Sequence, residues 1–164
     1  MTHARPVIFD LQAAQDLHQR HRGIPRYVLE LVYALEETTP GMVGAYLLNP
    51  DRSLPEAAER LAATGKLRFP EDVDWETAGL LHVGSPMDTT LPPHRQLPPA
   101  ARRSGVPRVV TLHDVIPYLF PELYLEDPGL NRRHGARLQL LRTTDAIVTN
   151  SATTRSDVIE HLGL

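Results

Sequence analysis

The sequence RVVTLHDVIPYLFPELY, residues 108–124, decides how the rest of the chain is expected to fold. Residues 109–112 form an unbroken apolar or β-branched row, typical of a strand covered on both faces inside a parallel sheet. His113 and Asp114 follow where this strand should end, and ligands of open α/β sheets bind beyond the carboxyl ends of the strands. Residues 116–124 are predicted to form a loop that is stiffened by two prolines and unusually apolar. We therefore expect another surface to cover this loop.

The composition is that of one globular domain. The chain has 164 residues, 41% of them hydrophobic and 23% charged, which is enough apolar material for a core. A formal net charge of -3 argues against a broad nucleic-acid-binding surface, and the lack of cysteine excludes disulfides and thiolate metal sites. The amino terminus lacks a signal-peptide pattern and the chain lacks a long apolar run, so we expect a cytoplasmic protein, with peripheral membrane association left open.

Strand and helix patterns alternate along the chain. Apolar runs predict strands at residues 7–9, 42–48, 66–69, 80–83, 108–113 and 146–149. Helical spacing predicts helices at residues 24–37, 54–63, 130–143 and 152–161. Residues 87–107 are expected to be mostly loop, with one helical turn at residues 100–103. The apolar stripe of the first helix would contain Ile24, Tyr27, Val28, Leu31, Ala34 and Leu35, and the third helix would turn Ala136, Leu138 and Leu141 inward. This alternation predicts an α/β, Rossmann-like domain over residues 1–164, with a mostly parallel sheet and helices on both faces.

The start of the first helix, at Gly23 and Ile24, carries an unusual charge. Arg20, Arg22 and Arg26 surround it, although the helix dipole favours acidic residues at this end. A bound anion, such as the diphosphate of a nucleotide or an acidic ligand, would relieve the repulsion and use the free N–H groups of the first turn. The alternative is an exposed basic loop with Gly23 as a simple cap.

His113 and Asp114 are the candidate catalytic residues. A histidine can donate or accept a proton near neutral pH, and Asp114 could hold its ring or cap the next turn. The alternative is a buried structural histidine followed by a turn residue. Asp10, near the end of the first strand, is predicted to be a turn or packing residue.

Asn150 and Ser151 follow the last strand and are predicted to cap the final helix, where free N–H groups could also face a ligand. Gly84 and Ser85 have a similar but weaker pattern. Dinucleotide, P-loop, hydrolase-elbow and zinc-protease motifs are absent from the sequence. His18 and His21 have ligand-like spacing, but no third ligand is implied, so no metal site is expected.

Three segments together resemble the amino-terminal half of retaining GT-B glycosyltransferases of family 4. These segments are RGIPRY at residues 22–27, TLHDVIPYLFPELY at residues 111–124, and DAIVTNSATTRSDVIEHLGL at residues 145–164. Enzymes of this family contain two Rossmann-like domains that face each other across a cleft. The first domain mainly binds the acceptor, and the second mainly binds the nucleotide-sugar donor.

The resemblance implies roles for individual residues. Gly23, with its neighbours Arg22, Ile24 and Arg26, would lie beside the donor phosphates or the acceptor. His113 would reach the transferred sugar, and Ser151, next to Asn150, would lie on the cleft wall; Tyr118 is a further candidate for substrate binding. Many family members have a paired glycine where this chain has Arg22 and Gly23.

The resemblance also implies a reaction and its partners. The whole enzyme would transfer a sugar from a nucleotide-sugar donor to a glycan or lipid-linked acceptor with retention and without a metal or other cofactor. The carboxyl-terminal donor domain, with its basic pair and two glutamates eight positions apart, is not found in this chain. We therefore expect the chain alone to fold without catalysing, and to be at risk of self-association through residues 116–124. The alternatives are a non-catalytic Rossmann-like module that binds a nucleotide or a protein, and half of a nucleotide-sugar epimerase.

Overall fold

Six parallel strands form the centre of the computed structural model, which describes residues 5–16 and 23–164. The strands are β1 (Val7–Asp10), β2 (Val43–Leu47), β3 (Leu67–Arg68), β4 (Leu80–Val83), β5 (Arg108–Leu112) and β6 (Ala146–Thr149). They lie in the order β3-β2-β1-β4-β5-β6, and every neighbouring pair is parallel. The predicted strands and the predicted Rossmann-like fold class are confirmed, and the described sheet is entirely parallel.

Eight α-helical segments connect these strands in the described part of the chain. They are α1 (Gly23–Thr38), α2 (Glu59–Ala62), α3 (Pro93–Gln96), α4 (Pro99–Ser104), α5 (Ile116–Leu119), α6 (Pro121–Tyr124), α7 (Pro128–Leu141) and α8 (Ala152–Asp157). Short 3-10 turns lie at Gln12–Gln15, Glu56–Ala58 and Pro70–Asp72, and α8 continues as a π-helical turn at Val158–Leu162. None of the described helices is both long and apolar enough to cross a membrane.

The sheet has a separate apolar core on each face. Successive residues of a strand point to opposite faces, so Ile8 and Phe9 of β1 enter different cores. Phe9 packs with Val28 and Val32 of α1, whereas Ile8 belongs to the core that includes Leu141 of α7. Both faces of the sheet are therefore covered by helices, as the alternating pattern predicted.

Two predicted loops contain short helices. Residues 87–107 include α3 and α4, and residues 116–124 include α5 and α6. Proline occupies one of the first two helical positions in all four, where its missing N–H costs no hydrogen bond. The helical turn predicted at residues 100–103 is confirmed by α4, whereas the loop prediction was wrong for α3, α5 and α6 because their prolines begin short helices. The helix predicted at residues 54–63 is likewise reduced to a 3-10 turn and α2.

The inward faces of α1 and α7 agree in part with the predicted ones. On α1, Val28 is buried as predicted, and four other predicted residues pack against the core, namely Ile24, Tyr27, Leu31 and Leu35. Ala34 is exposed, whereas Leu29 and Val32, which were not predicted, are buried. On α7, Leu141 is buried and Leu138 packs against the core as predicted, but Ala136 is exposed and His134 and Arg137 are buried. Arg137 donates hydrogen bonds to the backbone carbonyls of Asp88 and Leu91, so α7 faces the β4–α3 connection with polar side chains. An apolar stripe does not predict such a face, because His134 and Arg137 are polar.

Candidate functional site

The carboxyl edge of the sheet gathers residues from distant parts of the chain. Asp10 ends β1, Gly84 and Ser85 follow β4, and His113 follows β5. The chain moves outward from β1 to β3 and then returns to place β4 on the other side of β1. In open parallel sheets, such a reversal of strand order opens a crevice at the carboxyl ends. The described site lies along this edge.

Three segments of the chain meet at His113. Its Nε2 donates a hydrogen bond to the Gly84 carbonyl at 2.9 Å, and its ring packs edge-on against Tyr27 of α1, with centroids 4.9 Å apart. The hydroxyl of Thr154 on α8 donates to the His113 carbonyl at 3.1 Å. All three segments that carry the family resemblance are therefore in contact at this one residue.

Gly84 allows α1 to pack closely against this edge. A Cβ atom built at position 84 would lie 2.8 Å from Cγ2 of Val28 and 3.4 Å from Phe9 Cε1. The 2.8 Å separation is too short for two carbon atoms, and the branched Val28 side chain has little room to move in a packed core. The glycine therefore sets the distance between α1 and the sheet, and with it the position of Tyr27 beside His113.

The final helix is held to the site by its own cap. Ser151 Oγ accepts a hydrogen bond from the Thr154 N–H at 3.0 Å, which confirms the predicted N-cap. The same hydroxyl donates to Thr154 Oγ1 at 2.9 Å, and Thr154 in turn holds the His113 carbonyl. Asn150 Oδ1 lies 3.5 Å from Thr154 Oγ1. Ser151 and Asn150 thus help, through Thr154, to hold the backbone of His113 in place.

A cleft of about 310 Å³ opens beside His113. It is lined by Ile24, Ser85, Met87, His113, Asp114, Ile116, Pro117, Tyr124 and His134. Its volume lies at the lower end of the range for small-molecule sites, and it combines an apolar wall with a few polar groups, as such sites do. A somewhat larger open groove of about 360 Å³ runs beside β6, but neither His113 nor Asp114 lines it.

The surroundings of His113 favour the neutral form of its ring. Burial lowers the pKa of His113 below its usual value, and the Gly84 carbonyl and the charge of Asp114 oppose this effect. Because a carbonyl only accepts hydrogen bonds, Nε2 carries the proton in the neutral ring and Nδ1 is an acceptor. A neutral ring of this kind can accept a hydrogen bond from a hydroxyl group.

Asp114 caps the following turn. Its Oδ1 accepts a hydrogen bond from the Ile116 N–H at 3.0 Å, at the start of α5. The described partner of the His113 ring is the Gly84 carbonyl, so the structure favours the capping role of Asp114 over the ring-holding role. Asp114 nevertheless lines the cleft and brings a carboxylate to it.

Asp10 lies beneath the edge as a fully buried carboxyl group. Its Oδ1 accepts from the Gln12 N–H at 3.2 Å, whereas its Oδ2 has no hydrogen-bond partner among the described residues. Burial raises the pKa of Asp10 to about 7, although the hydrogen bonds from Gln12 oppose the shift. The structure thus gives Asp10 the turn and packing role that was predicted.

The other predicted site residues have different positions. Arg22, like Arg20, His18 and His21, lies outside the described residues. Gly23 is exposed, and a Cβ atom built there would have no described atom within 4 Å. Ile24 lines the cleft. Arg26 lies on the exposed face of α1, with its Nε 3.9 Å from Glu30 Oε1. The Tyr118 hydroxyl donates a long hydrogen bond of 3.4 Å to the His161 carbonyl, and Tyr118 is not among the residues that line the cleft.

Met87 and His134 line the cleft but were not predicted from the sequence. Met87 follows β4 in a segment that was treated only as loop. His134 lies on the buried face of α7, where only apolar residues were sought. The sequence did contain a signal for His134: it lies three positions before Arg137, so both polar side chains occupy one face of α7. Among the described residues, no group of three His, Cys, Asp or Glu side chains could hold a metal ion.

Comparison with known proteins identifies the family. The sequence model of Glycosyltransferase Family 4 matches residues 46–164, well over half of the chain. Neither the curated proteins nor the solved structures that were compared with the chain include a match. The matched range includes β4, β5, the cleft residues from Ser85 to His134, and α8. With its Rossmann-like sheet, which fits one half of a GT-B enzyme, this chain belongs to glycosyltransferase family 4.

Proposed function

We propose that this domain is the acceptor-binding half of a retaining glycosyltransferase, and that a sugar is transferred in the cleft beside His113. The donor is a nucleotide sugar, and the acceptor is a hydroxyl of a glycan or of a lipid-linked sugar. The observation that carries the proposal is the contact of three distant segments at His113, on the rim of a cleft at the carboxyl edge of the sheet.

The proposed reaction exchanges one bond at the anomeric carbon for another. The bond from this carbon to the diphosphate oxygen breaks, and a bond to the acceptor oxygen forms on the same face of the sugar. The acceptor proton passes to the departing diphosphate, and a nucleoside diphosphate leaves. Stabilising the charge on that leaving group would be the largest contribution, and a second, donor-binding domain would supply it.

The proposed role of His113 is to orient the sugar. Nδ1 of the neutral ring accepts a hydrogen bond from a hydroxyl of the transferred sugar, while Nε2 stays on the Gly84 carbonyl. Tyr27 and Thr154 hold the ring and the backbone of His113 in position. Fixed geometry matters because small displacements of a positioned group lower the rate strongly.

The test uses the longest natural protein that contains this domain. We expect radiolabelled sugar to pass from one of a panel of nucleotide sugars to an acceptor, with the anomeric configuration retained in the product by NMR. His113→Ala should lower turnover by about 100-fold, the scale of a lost positioned group. His94→Ala is the matched control, because His94 is an exposed histidine on α3.

Three outcomes would change the proposal. Normal turnover by His113→Ala would remove His113 from the mechanism. Interconversion of the free nucleotide sugars without transfer would favour an epimerase. Ligand binding without any turnover of the donor would favour a non-catalytic module.

A further inference from the structure

Asp10 is a carboxyl group that the folded protein surrounds completely. Its side chain is fully buried, and its Oδ2 has no hydrogen-bond partner among the described residues. The side-chain oxygens of Gln12 and Gln96 are also buried, and the described residues give them no partner either. When Asp10 is ionised, all three oxygens are acceptors, although nearly all buried polar groups in proteins are paired. A proton on Asp10 Oδ2 supplies a donor, so these surroundings favour the neutral carboxyl.

The charged groups near Asp10 do not compensate an ionised carboxyl. Arg52 attracts the negative charge, but it is already paired with Asp88 at 2.8 Å, and Asp88 repels the same charge. Arg95 is likewise paired with a carboxylate, at 3.2 Å. On the adjacent strand β4, burial lowers the pKa of His82, so this ring brings no positive charge near neutral pH. Burial raises the pKa of Asp10 to about 7 in turn.

Gln12 connects Asp10 to the helix α3. Its backbone N–H donates to Asp10 Oδ1 at 3.2 Å, and its side chain acts on the same carboxyl group, where it opposes the rise of the Asp10 pKa. Its Nε2 also donates to the Arg95 carbonyl of α3 at 2.7 Å. The Gln12 amide therefore joins the end of β1 to a helix that lies 83 positions later in the chain.

The helix α3 in turn holds one wall of the cleft. Gln96, its last residue, donates from Nε2 to the Ser85 carbonyl at 3.0 Å. Ser85 lines the cleft together with His113. Because α3 has only four residues, its stability depends on such tertiary contacts rather than on its own hydrogen bonds. The position of Ser85 thus depends on a chain of contacts that begins at Asp10.

We propose that Asp10 is a proton-controlled positioning residue, whose neutral carboxyl keeps Gln12 and α3 in place and so fixes the Ser85 wall of the cleft. Release of the Oδ2 proton to water leaves a buried carboxylate, and opening of Gln12 and α3 lets water reach it. The wall is ordered below about pH 7 and looser above it. The effect on catalysis rests on the proposed transferase function, whereas the opening of α3 does not.

Hydrogen exchange of the full chain tests the proposal without any ligand. The Leu97 N–H, which donates to the Pro93 carbonyl, reports the opening of α3, and the Thr39 N–H, just after α1, is the reference. Opening hydrates Asp10 and returns its pKa to 3.8. The Leu97 protection factor, corrected for the intrinsic exchange rate, should therefore fall about tenfold from about pH 6 to about pH 8, and that of Thr39 should not change. A pH-independent Leu97 protection factor, or an equal fall at Thr39, would overturn the proposal.

Variants identify the group that titrates. Asp10→Asn is permanently neutral and keeps an acceptor for the Gln12 N–H, so its Leu97 protection factor should not depend on pH. His94→Gln removes the exposed histidine of α3 and should keep the wild-type fall. A wild-type fall in Asp10→Asn, or its loss in His94→Gln, would assign the effect to another group. If Asp10→Asn fails to fold, Gln12→Met decides, because a wild-type fall without the Gln12 amide would reject the connection.

The positioning role and the transferase proposal can fail separately. In the longer natural protein, the wild-type KM for the acceptor should rise above about pH 7, whereas that of Asp10→Asn should not. Transfer with the same pH profile in both proteins would reject only the positioning role. Exchange at Leu97 that depends on Asp10, without transfer from any nucleotide sugar, would keep the opening of α3 and reject the transferase.

Discussion

Replacing Asp10 by asparagine should change how stability depends on pH. Asp10 is fully buried, its Oδ2 has no described partner, and its pKa is raised from 3.8 to about 7. Above pH 3.8 the unfolded chain releases this proton, whereas the folded protein holds it until about pH 7. The folded state therefore binds the extra proton, and stability falls as pH rises through this window.

The size of the effect follows from the shift. One pKa unit corresponds to about 1.4 kcal/mol, so a shift of roughly three units makes the ionised folded protein about 4 kcal/mol less stable than the protonated one. Between about pH 5 and about pH 8, the wild type should lose roughly 2–3 kcal/mol through this group. Asp10→Asn keeps an acceptor for the Gln12 N–H and removes the ionisation.

Urea unfolding of both proteins across this pH range tests the reasoning. The free energy of unfolding of Asp10→Asn minus that of the wild type should increase by roughly 2–3 kcal/mol from about pH 5 to about pH 8. Glu37→Gln, which removes a carboxylate from the exposed end of α1, controls for general charge effects. Parallel pH profiles for Asp10→Asn and the wild type would show that burial of Asp10 does not control its ionisation.

Four further substitutions test the packing, the helix cap and the exposed apolar surface. Gly84→Ala should lower the unfolding free energy by about 1–3 kcal/mol, because its Cβ would press on α1, and should move the His113 ring signals in NMR spectra. Gly135→Ala, with no atom within 4 Å of the added Cβ, should instead raise it by about 0.5–1 kcal/mol; a loss of similar size to that of Gly84→Ala would contradict the packing argument. Ser151→Ala should cost about 1 kcal/mol through the lost cap, and an unchanged midpoint in urea would show that the cap is replaceable. Leu123→Glu, at a side chain on α6 that is 70% exposed, should reduce any self-association through residues 116–124 in sedimentation experiments, and equal association would place the contact elsewhere.

The sheet, and the edge at which the cleft opens, could be predicted because their physical signals are local. Buried parallel strands need apolar side chains on both faces, so the row at residues 109–112 identified β5 from the sequence alone. Parallel strands bring their carboxyl ends to one edge, which is why His113 was expected in a crevice. The Ser151 cap could also be predicted from the sequence, because it depends only on the next three residues.

The polar buried face of α7 could not be predicted in the same way. His134 and Arg137 lie on the buried face of α7 because that face meets the β4–α3 connection, whose backbone carbonyls accept hydrogen bonds from Arg137. Nothing local to the helix reveals this partner, because it lies more than forty positions earlier in the chain. The arginines at the start of α1 predicted an anion site, but this charge pattern was incomplete evidence, because the described partner of Arg26 is Glu30 on the same helix.

The strand order has a consequence for synthesis on the ribosome. β1 is the first strand to emerge, but it lies between β2 and β4, and Val7 must wait for Leu80 before its second side is paired. Until then, the nascent chain presents one open strand edge in what becomes the middle of the sheet, and such edges are prone to pair with other chains. Slow translation between β2 and β4 should therefore lower the yield of folded protein more than an equal delay after β6.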